Sequence, residues 1–547
     1  MQFSDIFRIL GNYLLYFALI LCFPLGVSIY FEYVTPIALK DLLPPSSLAF
    51  FETLLLCIAI ALLFRFLGRK AKKSIYRRES IALVVIIWLS TTTISAFPFY
   101  LSHTLSPIDS FFEAMSGLTT TGATMISAKA YDPLSREEIP LIVTDPNVPG
   151  KEYSYYGTIS PVINPKDNTT LTGVEAVSRG ILFWRSFLQW LGGMGIVVLF
   201  LTVLPALGIG GKFLYQTEMS GPVKESITPR IKETASRLWK IYVGLTIIEI
   251  ILLMWTNENL PFFEAVCISL SNLSTGGFSL HSESIASYHN AATEWIVIFF
   301  MILGSINFAF YFYILRLKFY KIYAPEFFLF LFFILLGSSV VSFFLVGTPS
   351  AQLDFPLSVY TVPEAIRAGT FQAISAQTST GFFTANYDNW PFPAQMFMLI
   401  LMFIGGMSGA TSGGIKTSRF YILYKILTHR IESLFRPESV RKLIVRGAEI
   451  SSKASTMVLG FFCLIGFFCI LGIVLMVLEG VDPETSLCLM ASLLNNVGMA
   501  FRAAGPLDSI NYLSPVSKLL AAFWMLLGRL EYYTIVLLFF PAFWRDK

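Results

Sequence analysis

The chain has 547 residues, of which 55% are hydrophobic and only 14% are charged. An ordinary soluble protein is excluded, because such proteins carry about 25% charged residues. A transmembrane β-barrel is excluded as well, because the alternation of apolar and polar residues that it requires is absent. The net charge of +4 is small, and the basic residues cluster beside apolar segments. This placement favours a role in membrane topology, so no nucleic-acid partner is predicted.

Two apolar segments open the chain, at about 12–33 and 47–67. Each has the length that an α-helix needs to cross a bilayer about 30 Å thick. The first segment is too long for a cleaved signal peptide, and no small-residue cleavage site follows it. A basic run comes after the second segment: Arg69, Lys70, Lys72, Lys73, Arg77 and Arg78. Residues 1–80 are therefore predicted to form two transmembrane helices and a basic cytoplasmic loop, with the N-terminus in the cytoplasm.

The rest of the chain repeats one order four times: an apolar span, a short loop that contains glycine, and a second span. The repeats are predicted at 81–211, 212–322, 323–424 and 425–547. Basic residues between the repeats place these links and the C-terminus inside, and all four loops outside. A polar insertion in the first repeat, at 126–178, is predicted to be a loop-rich outer cap. The predicted fold is an all-α integral membrane protein with ten transmembrane helices and four re-entrant pore loops in fourfold pseudo-symmetric helix–loop–helix repeats.

The four loops share a glycine that follows Ser, Thr, Asn or Val residues. They are Thr120-Thr121-Gly122, Ser274-Thr275-Gly276, Ser379-Thr380-Gly381 and Asn496-Val497-Gly498. Each follows a short run that is led by an acidic residue: Glu113, Glu264, Glu364 or Glu484. Glycine tolerates positive φ and can turn successive carbonyl groups toward one axis. A Ser or Thr followed by Gly is also a common turn. Four copies between apolar spans nevertheless favour rings of carbonyl oxygens that replace the water shell of a small cation.

The second span of each repeat also contains glycine: Gly192-Gly193-Met194-Gly195, Gly304, Gly405-Gly406 and Gly528. In the third repeat the sequence becomes IGGMSGATSGGIKTSR, from Ile404 to Arg419. A continuous helix is disfavoured here, because each glycine costs about 1 kcal/mol relative to alanine. A phosphate-binding loop is excluded, because Ile415 precedes Lys416 and no strand precedes the segment. Two interpretations remain, namely close helix packing through G-x-x-x-G and a flexible loop that crosses the pore.

The last apolar span carries two charged residues, Arg529 and Glu531. A charge at membrane depth is costly, so it is expected to face water or a partner. Arg529 in the pore would raise an electrostatic barrier to cations, moderated by Glu531 or by a backbone carbonyl. Alternatively, the two residues form a structural ion pair between helices. No enzyme is predicted, because a membrane transferase would need a cluster of His, Asp or Cys residues near the loops.

The chain resembles the Trk/Ktr/HKT superfamily of potassium transporters, and within it the TrkH branch. The motifs that carry the resemblance are FFEAMSGLTTTGAT, NLSTGGFS, QTSTGFF, NNVG, LGGMG, GGMSGATSGGIK and LGRLE. The resemblance implies K⁺ uptake across a bacterial or archaeal cytoplasmic membrane, with K⁺ bound by the four loops and no bound organic cofactor. It also implies a gate formed by a loop at 404–416 together with Arg529. The predicted gate residues of that loop are Gly405, Gly406, Gly409, Gly413, Gly414 and Lys416.

The resemblance also implies partners. Members of the superfamily form homodimers and bind a cytosolic nucleotide-binding regulatory subunit of the TrkA type, through which ATP or NAD(H) acts. The basic segments 212–240 and 425–453 are the predicted contact regions. Two departures from the family pattern are Met499, where relatives often have Pro, and the long insertion 126–178.

The identity of the ion is predicted from the loop glycines. All four loops keep Gly, which favours complete carbonyl rings and therefore K⁺. In plant relatives, by resemblance, a Ser in the first loop accompanies Na⁺ transport, and Gly122 argues against this. The alternative is a Na⁺-coupled or weakly selective monovalent cation transporter of the same fold. Rubidium uptake with and without Na⁺ would separate the two.

Overall fold

The structure is a computed structural model. It describes residues 3–34, 45–71, 77–132, 134–144, 151–163, 169–195, 231–350, 359–435, 444–445, 448–449 and 452–545. This part of the chain is mostly helical. Six of its helices are long and apolar enough to cross a membrane, and two further pairs of helices pass the same test as bent spans. The chain is therefore a multi-pass membrane protein, as its composition indicates.

Two N-terminal helices form an antiparallel pair: α1 (Phe3–Ile29) and α2 (Ser46–Leu67). Their backbones approach closely at Gly11, where an added Cβ would lie 2.8 Å from the carbonyl oxygen of Ala61. The pair packs against the first repeat, where the ring of Phe23 meets that of Phe183 at a centroid distance of 5.3 Å. The N-terminal pair therefore packs on the helices of the first repeat.

The remaining helices fall into four groups, each with an opening helix, a short helix and a closing helix. The first group is α3 (Arg77–Leu101), α4 (Pro107–Leu118) and α5 (Arg179–Gly193). The second is α6 (Ile231–Thr256), α7 (Phe262–Leu273), α8 (Ala291–Ser305) and α9 (Phe308–Leu315). The third is α10 (Pro325–Leu345), α11 (Val362–Gln377), α12 (Phe392–Phe403) and α13 (Thr417–Phe435). The fourth is α14 (Ser452–Leu478), α15 (Pro483–Asn495), α16 (Pro515–Leu530), α17 (Tyr532–Val536) and α18 (Pro541–Trp544).

The short helices begin at sequence signals that fix their first turn. Ser106 and Asp482 each accept a hydrogen bond from a backbone N–H three residues later, and a proline follows each of them. A capping side chain and a proline at the first helical position are both favourable at a helix N-terminus. These two short helices therefore start at defined points, and all four short helices end directly before the glycine loops.

Packing between the groups forms a closed cycle. The closing helix of each group packs against the short helix of the next: α5 on α7, α8 on α11, α12 on α15 and α16 on α4. The short helices are therefore enclosed by protein, and the side chains of Phe112, Leu273 and Leu493 are fully buried. Large apolar side chains on the outer helices remain exposed, such as those of Leu62, Phe467 and Ile470. Exposed apolar side chains on a membrane helix suit contact with lipid.

The closing helices of the second, third and fourth groups are broken. The glycine-rich segment predicts the break in the third group, whereas the spans predicted without a break at 294–316 and 517–544 are wrong in this respect. The chain bends by 95° between α8 and α9 and by 116° between α16 and α17. In the third group, residues 404–416 separate α12 from α13. Asn307 accounts for one break, because its side chain accepts a hydrogen bond from the N–H of Ala309 and starts a new helix. The second apolar span of the first repeat, predicted at 181–206, lies partly outside the described residues, which end at Gly195 in this part of the chain.

The insertion contains short antiparallel β-hairpins, so the all-α prediction is wrong for this part of the chain. The strands pair in sequence order: β1 (Ala130–Tyr131) with β2 (Glu138–Ile139), β3 (Leu141–Thr144) with β4 (Glu152–Tyr155), and β5 (Val162–Ile163) with β6 (Thr170–Leu171). A further pair joins β7 (Ile444–Val445) and β8 (Ala448–Glu449). Tyr153 donates a hydrogen bond to Asp482 at 3.1 Å, which ties the insertion to the start of α15.

Candidate functional site

The four glycine loops, at 119–122, 274–277, 378–381 and 495–498, follow one backbone path. Each has a residue in the left-handed region and, two positions later, a glycine with positive φ. The first residues are Thr120, Thr275, Ser379 and Asn496, with φ of 56°, 54°, 54° and 53°. The glycines, called hinge glycines below, are Gly122, Gly277, Gly381 and Gly498, with φ of 88°, 78°, 85° and 84°. Only glycine adopts such angles freely.

The second glycine loop is one residue out of register with the sequence prediction. Gly277, and not Gly276, takes the positive φ that Gly122 takes in the first loop. The residues equivalent to Thr120-Thr121-Gly122 are therefore Thr275-Gly276-Gly277, in place of the predicted Ser274-Thr275-Gly276. A Gly-Gly pair offers two candidate hinges, and the sequence motif does not distinguish them.

A serine in each short helix marks the correct register and was missed in the sequence analysis. The carbonyls of Ser116, Ser271, Ser375 and Ser492 accept the N–H groups of Thr121, Gly276, Thr380 and Val497 at 2.9, 2.8, 2.9 and 2.9 Å. Each serine precedes the hinge glycine of its own loop by the same number of residues. This fixed spacing can be read from the sequence alone, and it identifies the hinge glycine of each loop.

The four loops meet in a ring. An added Cβ on Gly122 would lie 2.3 Å from the carbonyl oxygen of Gly276, and one on Gly277 would lie 1.9 Å from that of Thr380. An added Cβ on Gly381 would lie 2.3 Å from the carbonyl oxygen of Val497. One on Gly498 would lie 2.1 Å from the carbonyl oxygen of Thr121, which closes the cycle. Each hinge glycine therefore touches a carbonyl of the next loop. Any side chain at these positions would push neighbouring loops apart.

Two amides hold the loops from behind. Gln189 on α5 donates to the carbonyl of Gly276 at 2.7 Å and accepts from the N–H of Phe278 at 3.0 Å. Asn496 donates to the hydroxyl of Thr121 at 3.0 Å and to the carbonyl of Met525 at 2.9 Å. The sequence analysis does not predict a role for Gln189. The signal that could have identified it is its position as a polar residue inside an apolar span.

The acidic residues that lead the four runs are not equivalent in the structure. Glu264, Glu364 and Glu484 lie in the first turns of their helices, but Glu113 lies inside α4 and is fully buried. Glu113 accepts from Arg185 at 2.8 Å and from the N–H of Met125 at 2.9 Å. Arg185 also donates to the carbonyl of Ser279 at 3.0 Å. This ion pair therefore joins the segments that follow the first and second glycine loops.

Breaking this ion pair is expected to destabilise the protein. Glu113→Ala leaves Arg185, which is 2% exposed, without its carboxylate, and removing one partner of a buried pair costs about 3–5 kcal/mol. Thermal unfolding in detergent measures the effect as a lower melting temperature. The matched control is Glu138→Ala, which breaks the partly exposed pair with Lys129 and is expected to cost about 0–1 kcal/mol. Equal melting temperatures for the two variants would contradict the prediction.

An outer cavity of about 480 Å³ lies between the glycine loops and the insertion. Its lining includes Gly122, Gly277, Gly381, Gly498 and Asp508. Burial, with a smaller contribution from the nearby Asp388 carboxylate, raises the pKa of Asp508 to about 6. Asp508 therefore changes its charge near neutral pH, at the mouth of the ring.

A histidine connects the insertion to the second repeat beside this cavity. The ring of His281 lies 3.6 Å from Glu175 of the insertion and 3.2 Å from Glu264 of α7. Burial disfavours the charged imidazolium, but the hydrogen bonds to Glu175 and Glu264 outweigh burial and raise its pKa to about 9. His281 is therefore positively charged at neutral pH, and the contact joins opposite charges.

The 404–416 loop runs beneath the ring of glycine loops. Its ends pair with each other, since the N–H of Gly405 donates to the carbonyl of Ile415 at 3.0 Å. Its middle touches the end of α7 and the third glycine loop. The hydroxyl of Thr411 donates to the carbonyl of Leu273 at 3.1 Å, and the N–H of Gly413 donates to the hydroxyl of Ser379 at 2.6 Å. The interpretation as helix packing through G-x-x-x-G is wrong, because these residues are not helical.

Arg529 lies between this loop and the ring. Its guanidinium donates to the carbonyls of Thr411 at 2.8 Å, Gly193 at 2.8 Å and Gly192 at 2.5 Å, and to the hydroxyl of Thr120 at 3.2 Å. Backbone carbonyls therefore moderate its charge, as one of the sequence interpretations allowed. Arg529 consequently links the first glycine loop, the C-terminal end of α5 and the 404–416 loop.

Other charged groups lie around a small inner cavity of about 90 Å³, which Arg529 also lines. Glu531 accepts from Arg419 at 2.6 Å, and the Arg419 guanidinium lies 3.7 Å from the ring centre of Phe461. Lys416 is 5% exposed and donates to the carbonyl of Ser412. The predicted gate residues are therefore close together, on the side of the ring opposite the outer cavity.

Comparison with known proteins places the chain in a family. A family model described as "TrkH: Cation transport protein" matches residues 164–546, which is more than half of the chain. The chain belongs to the TrkH family. The resemblance predicted from the motifs is thereby confirmed. Because TrkH is a family of cation transporters, the prediction that the chain is not an enzyme is confirmed as well.

Individual TrkH relatives match over almost their whole length. The Trk system potassium uptake protein TrkH of Escherichia coli (strain K12) is 31% identical over 503 residues, which are 91% of this chain and 92% of the relative. The protein of the same description from Halomonas elongata is 32% identical over 553 residues, with 100% of both chains covered. The crystal structure of the potassium transporter TrkH from Vibrio parahaemolyticus matches with a TM-score of 0.77 and 27% identity, and covers 100% of each chain.

Proposed function

We propose that this protein mediates K⁺ uptake across the bacterial cytoplasmic membrane through a filter formed by its four glycine loops. The observation that carries the proposal is the closed ring in which each hinge glycine touches a carbonyl of the next loop. Rings of backbone carbonyls can replace the hydration shell of K⁺. The relatives from Escherichia coli and Halomonas elongata are described as potassium uptake proteins, which supports K⁺ as the transported ion.

The proposed filter residues lie at the ends of the four short helices. They are those predicted above, with Thr275-Gly276-Gly277 replacing Ser274-Thr275-Gly276 in the second loop. A helix C-terminus carries a partial negative charge of roughly half an elementary charge. Four such termini converge on the ring, which stabilises a cation there. Side chains behind the ring, such as that of Gln189, hold the carbonyls at a fixed spacing.

The proposed membrane architecture has ten spans and four re-entrant loops with fourfold pseudo-symmetry. The six long helices and the two bent pairs are joined by two further spans, one starting with α5 and one formed by α12 and α13. The boundaries 1–80, 81–211, 212–322, 323–424 and 425–547 are kept. Each short helix with its loop enters from the outside and returns, so irregular backbone lies only where protein or water surrounds it. Both termini are placed in the cytoplasm.

The proposed gate is the 404–416 loop together with Arg529. A guanidinium held by carbonyls below the filter occupies the position where a permeating cation would pass, and it repels that cation. Movement of the loop would release the contacts that Arg529 makes with Thr411 and would open the path. A loop that is rich in glycine can move with little backbone strain.

The proposed partners are a second copy of this chain and a cytosolic nucleotide-binding regulatory subunit. The names of the relatives refer to a "Trk system", which supports an additional component. Within the predicted contact regions, 212–240 and 425–453, residues 212–230, 436–443, 446–447 and 450–451 lie outside the described residues. Co-purification of the chain with such a subunit, with and without ATP or NAD(H), tests this part of the proposal.

Ion flux in proteoliposomes tests the proposed function directly. Purified protein is expected to take up rubidium in the absence of Na⁺, and K⁺ is expected to compete with rubidium better than Na⁺ does. A requirement for Na⁺ would favour the alternative, a Na⁺-coupled transporter of the same fold. Equal competition by K⁺ and Na⁺ would favour a weakly selective cation transporter. Imposing a proton gradient in the same assay separates channel-like conduction from coupled transport.

Uptake is expected to fall as the external pH is lowered through the pKa of Asp508. Above pH 6 the carboxylate is charged and attracts cations to the outer cavity, and below this pH it becomes neutral. Between pH 7.5 and 5.5 the uptake rate should fall by about twofold, since the charge of one nearby residue changes the local cation concentration. Asp508→Asn should show low uptake at both pH values. Asp132→Asn, which alters an exposed aspartate of the insertion, should keep the wild-type profile.

A further inference from the structure

A buried carboxylate contacts the 404–416 loop from another helix. Glu326 lies in the first turn of α10 and is 4% exposed. Its Oε1 accepts a hydrogen bond from the backbone N–H of Ser408 at 2.7 Å. A carboxylate in a first turn commonly interacts with the N–H groups of its own helix. Here its oxygen is bonded to a residue 82 positions away in sequence.

Ser408 is a junction between several elements. Its hydroxyl lies 2.5 Å from that of Ser418 on α13. The backbone N–H of Met407, the residue before it, donates to the carbonyl of Ser305 at the end of α8 at 3.0 Å. The carbonyl of Gly409, the residue after it, accepts from the backbone N–H of Phe308 in α9 at 3.2 Å. The second and third repeats therefore both hold this part of the loop. Glu326 adds a bond from the opening helix of the third repeat.

This bond differs in kind from the others around Ser408. An ionised acceptor makes a stronger hydrogen bond than a neutral carbonyl, and burial strengthens it further. One buried carboxylate therefore acts on the 404–416 loop through a hydrogen bond at Ser408.

The helix that carries Glu326 also reaches the filter. α10 packs along α11, the short helix that precedes the third glycine loop, and against α12 and α13 on either side of the 404–416 loop. A small movement at the start of α10 would therefore displace Ser408. Because packed elements shift between discrete arrangements, such a displacement can be passed to the loop as a whole.

We propose that Glu326 is a positioning residue of the gate, which holds the 404–416 loop across the pore by its bond to Ser408 and couples the loop to the start of α10. This inference rests on the proposed function of that loop. The bond of the Glu326 carboxylate to Ser408 is to the 404–416 loop and not to a residue of the glycine loops. Its removal therefore changes how often the path is open and leaves the choice of ion unchanged.

The test compares rubidium flux and ion preference in Glu326 variants. Glu326→Ala is expected to raise the flux of the purified protein about threefold or more, and Glu326→Gln, which keeps an acceptor oxygen but loses the charge, should raise it less. The preference for K⁺ over Na⁺ should stay at the wild-type value in both. The matched control is Glu364→Gln, because Glu364 lies in the first turn of α11 and bonds to Thr361 at its own helix start. This control should conduct like the wild type.

Three results would overturn the inference. Unchanged or lower flux in both Glu326 variants, with normal yield and melting temperature, would show that Glu326 does not restrain the loop. A changed preference for K⁺ over Na⁺ would show that it acts on the filter. If Glu326→Ala does not fold, the near-isosteric Glu326→Gln decides, and wild-type flux in that variant counts against the inference.

Arg529→Ala in the same assay separates this inference from the proposed gate. If Arg529→Ala raises flux and the Glu326 variants do not, the gate stands and the role of Glu326 is rejected. If neither change raises flux, the proposed gate itself fails.

Discussion

Arg529→Ala is expected to raise K⁺ flux through the protein by about tenfold or more, because it removes a positive charge from the path of a cation at membrane depth. The guanidinium also holds the closed arrangement, since it links the carbonyl of Thr411 in the 404–416 loop to those of Gly192 and Gly193. The measurement is rubidium uptake by proteoliposomes at equal protein content. Whole-membrane current with purified protein in planar bilayers gives the same comparison.

Two further variants make this experiment specific. Arg529→Lys keeps the charge but provides only three donors, so its flux should lie between those of the wild type and the alanine variant. Arg367→Ala removes an arginine that pairs with Glu294 away from the inner cavity, and it should leave flux unchanged. Loss of expression without any rise in flux would indicate that Arg529 serves mainly to hold helices together.

Gly277→Ala is expected to abolish the preference for K⁺ over Na⁺, with a fall of about tenfold or more in the permeability ratio. Two effects act together at this position. The backbone has a φ of +78°, and an added Cβ would lie 1.9 Å from the carbonyl oxygen of Thr380. That carbonyl belongs to the next glycine loop, so the side chain would displace an oxygen of the ring. Bi-ionic reversal potentials measure the ratio.

Gly276→Ser provides the comparison within the same loop. Its added Cβ would meet the side chain of Gln189 at 2.4 Å. An amide side chain can shift, so the loss of selectivity should be smaller than in Gly277→Ala. Gly347→Ala is the control for strain, because Gly347 also has a φ of +78° but its added Cβ would meet nothing within 4 Å. A larger loss at Gly276 than at Gly277 would contradict the register described here.

Much of the candidate site could be predicted from local patterns. The apolar spans, the basic links and the recurring glycine are features of contiguous sequence, and each depends on a local physical rule. Arg529 could be identified in the same way, because an ionisable residue inside an apolar span is rare enough to indicate a special environment. The Gly-rich segment indicated a break for a similar reason, since five close glycines disfavour a continuous helix.

The register of the second loop and the breaks in the other closing helices required the structure. Gly276 and Gly277 have equal backbone freedom, and only the carbonyls of Ser271 and Thr380 decide which of them becomes the hinge. The bends after Ser305 and at Glu531 have no local glycine cluster, and the first is followed by a new helix that Asn307 caps. The β-hairpins of the insertion were missed, because their strands are short and their pairing depends on turns.

The sequence by itself determined that the chain spans the membrane many times, that it repeats one unit four times, and that it belongs among cation transporters. The first two properties follow from composition and from repeated local motifs, and the third follows from the resemblance to a known family that those motifs carry. All of these are independent of how distant segments meet. Only the tertiary structure decided which groups touch: the closed ring of glycines and carbonyls, the carbonyl cage around Arg529, and the bond from Glu326 to Ser408. Such contacts join residues far apart in the chain, and long-range packing, rather than local preference, selects them.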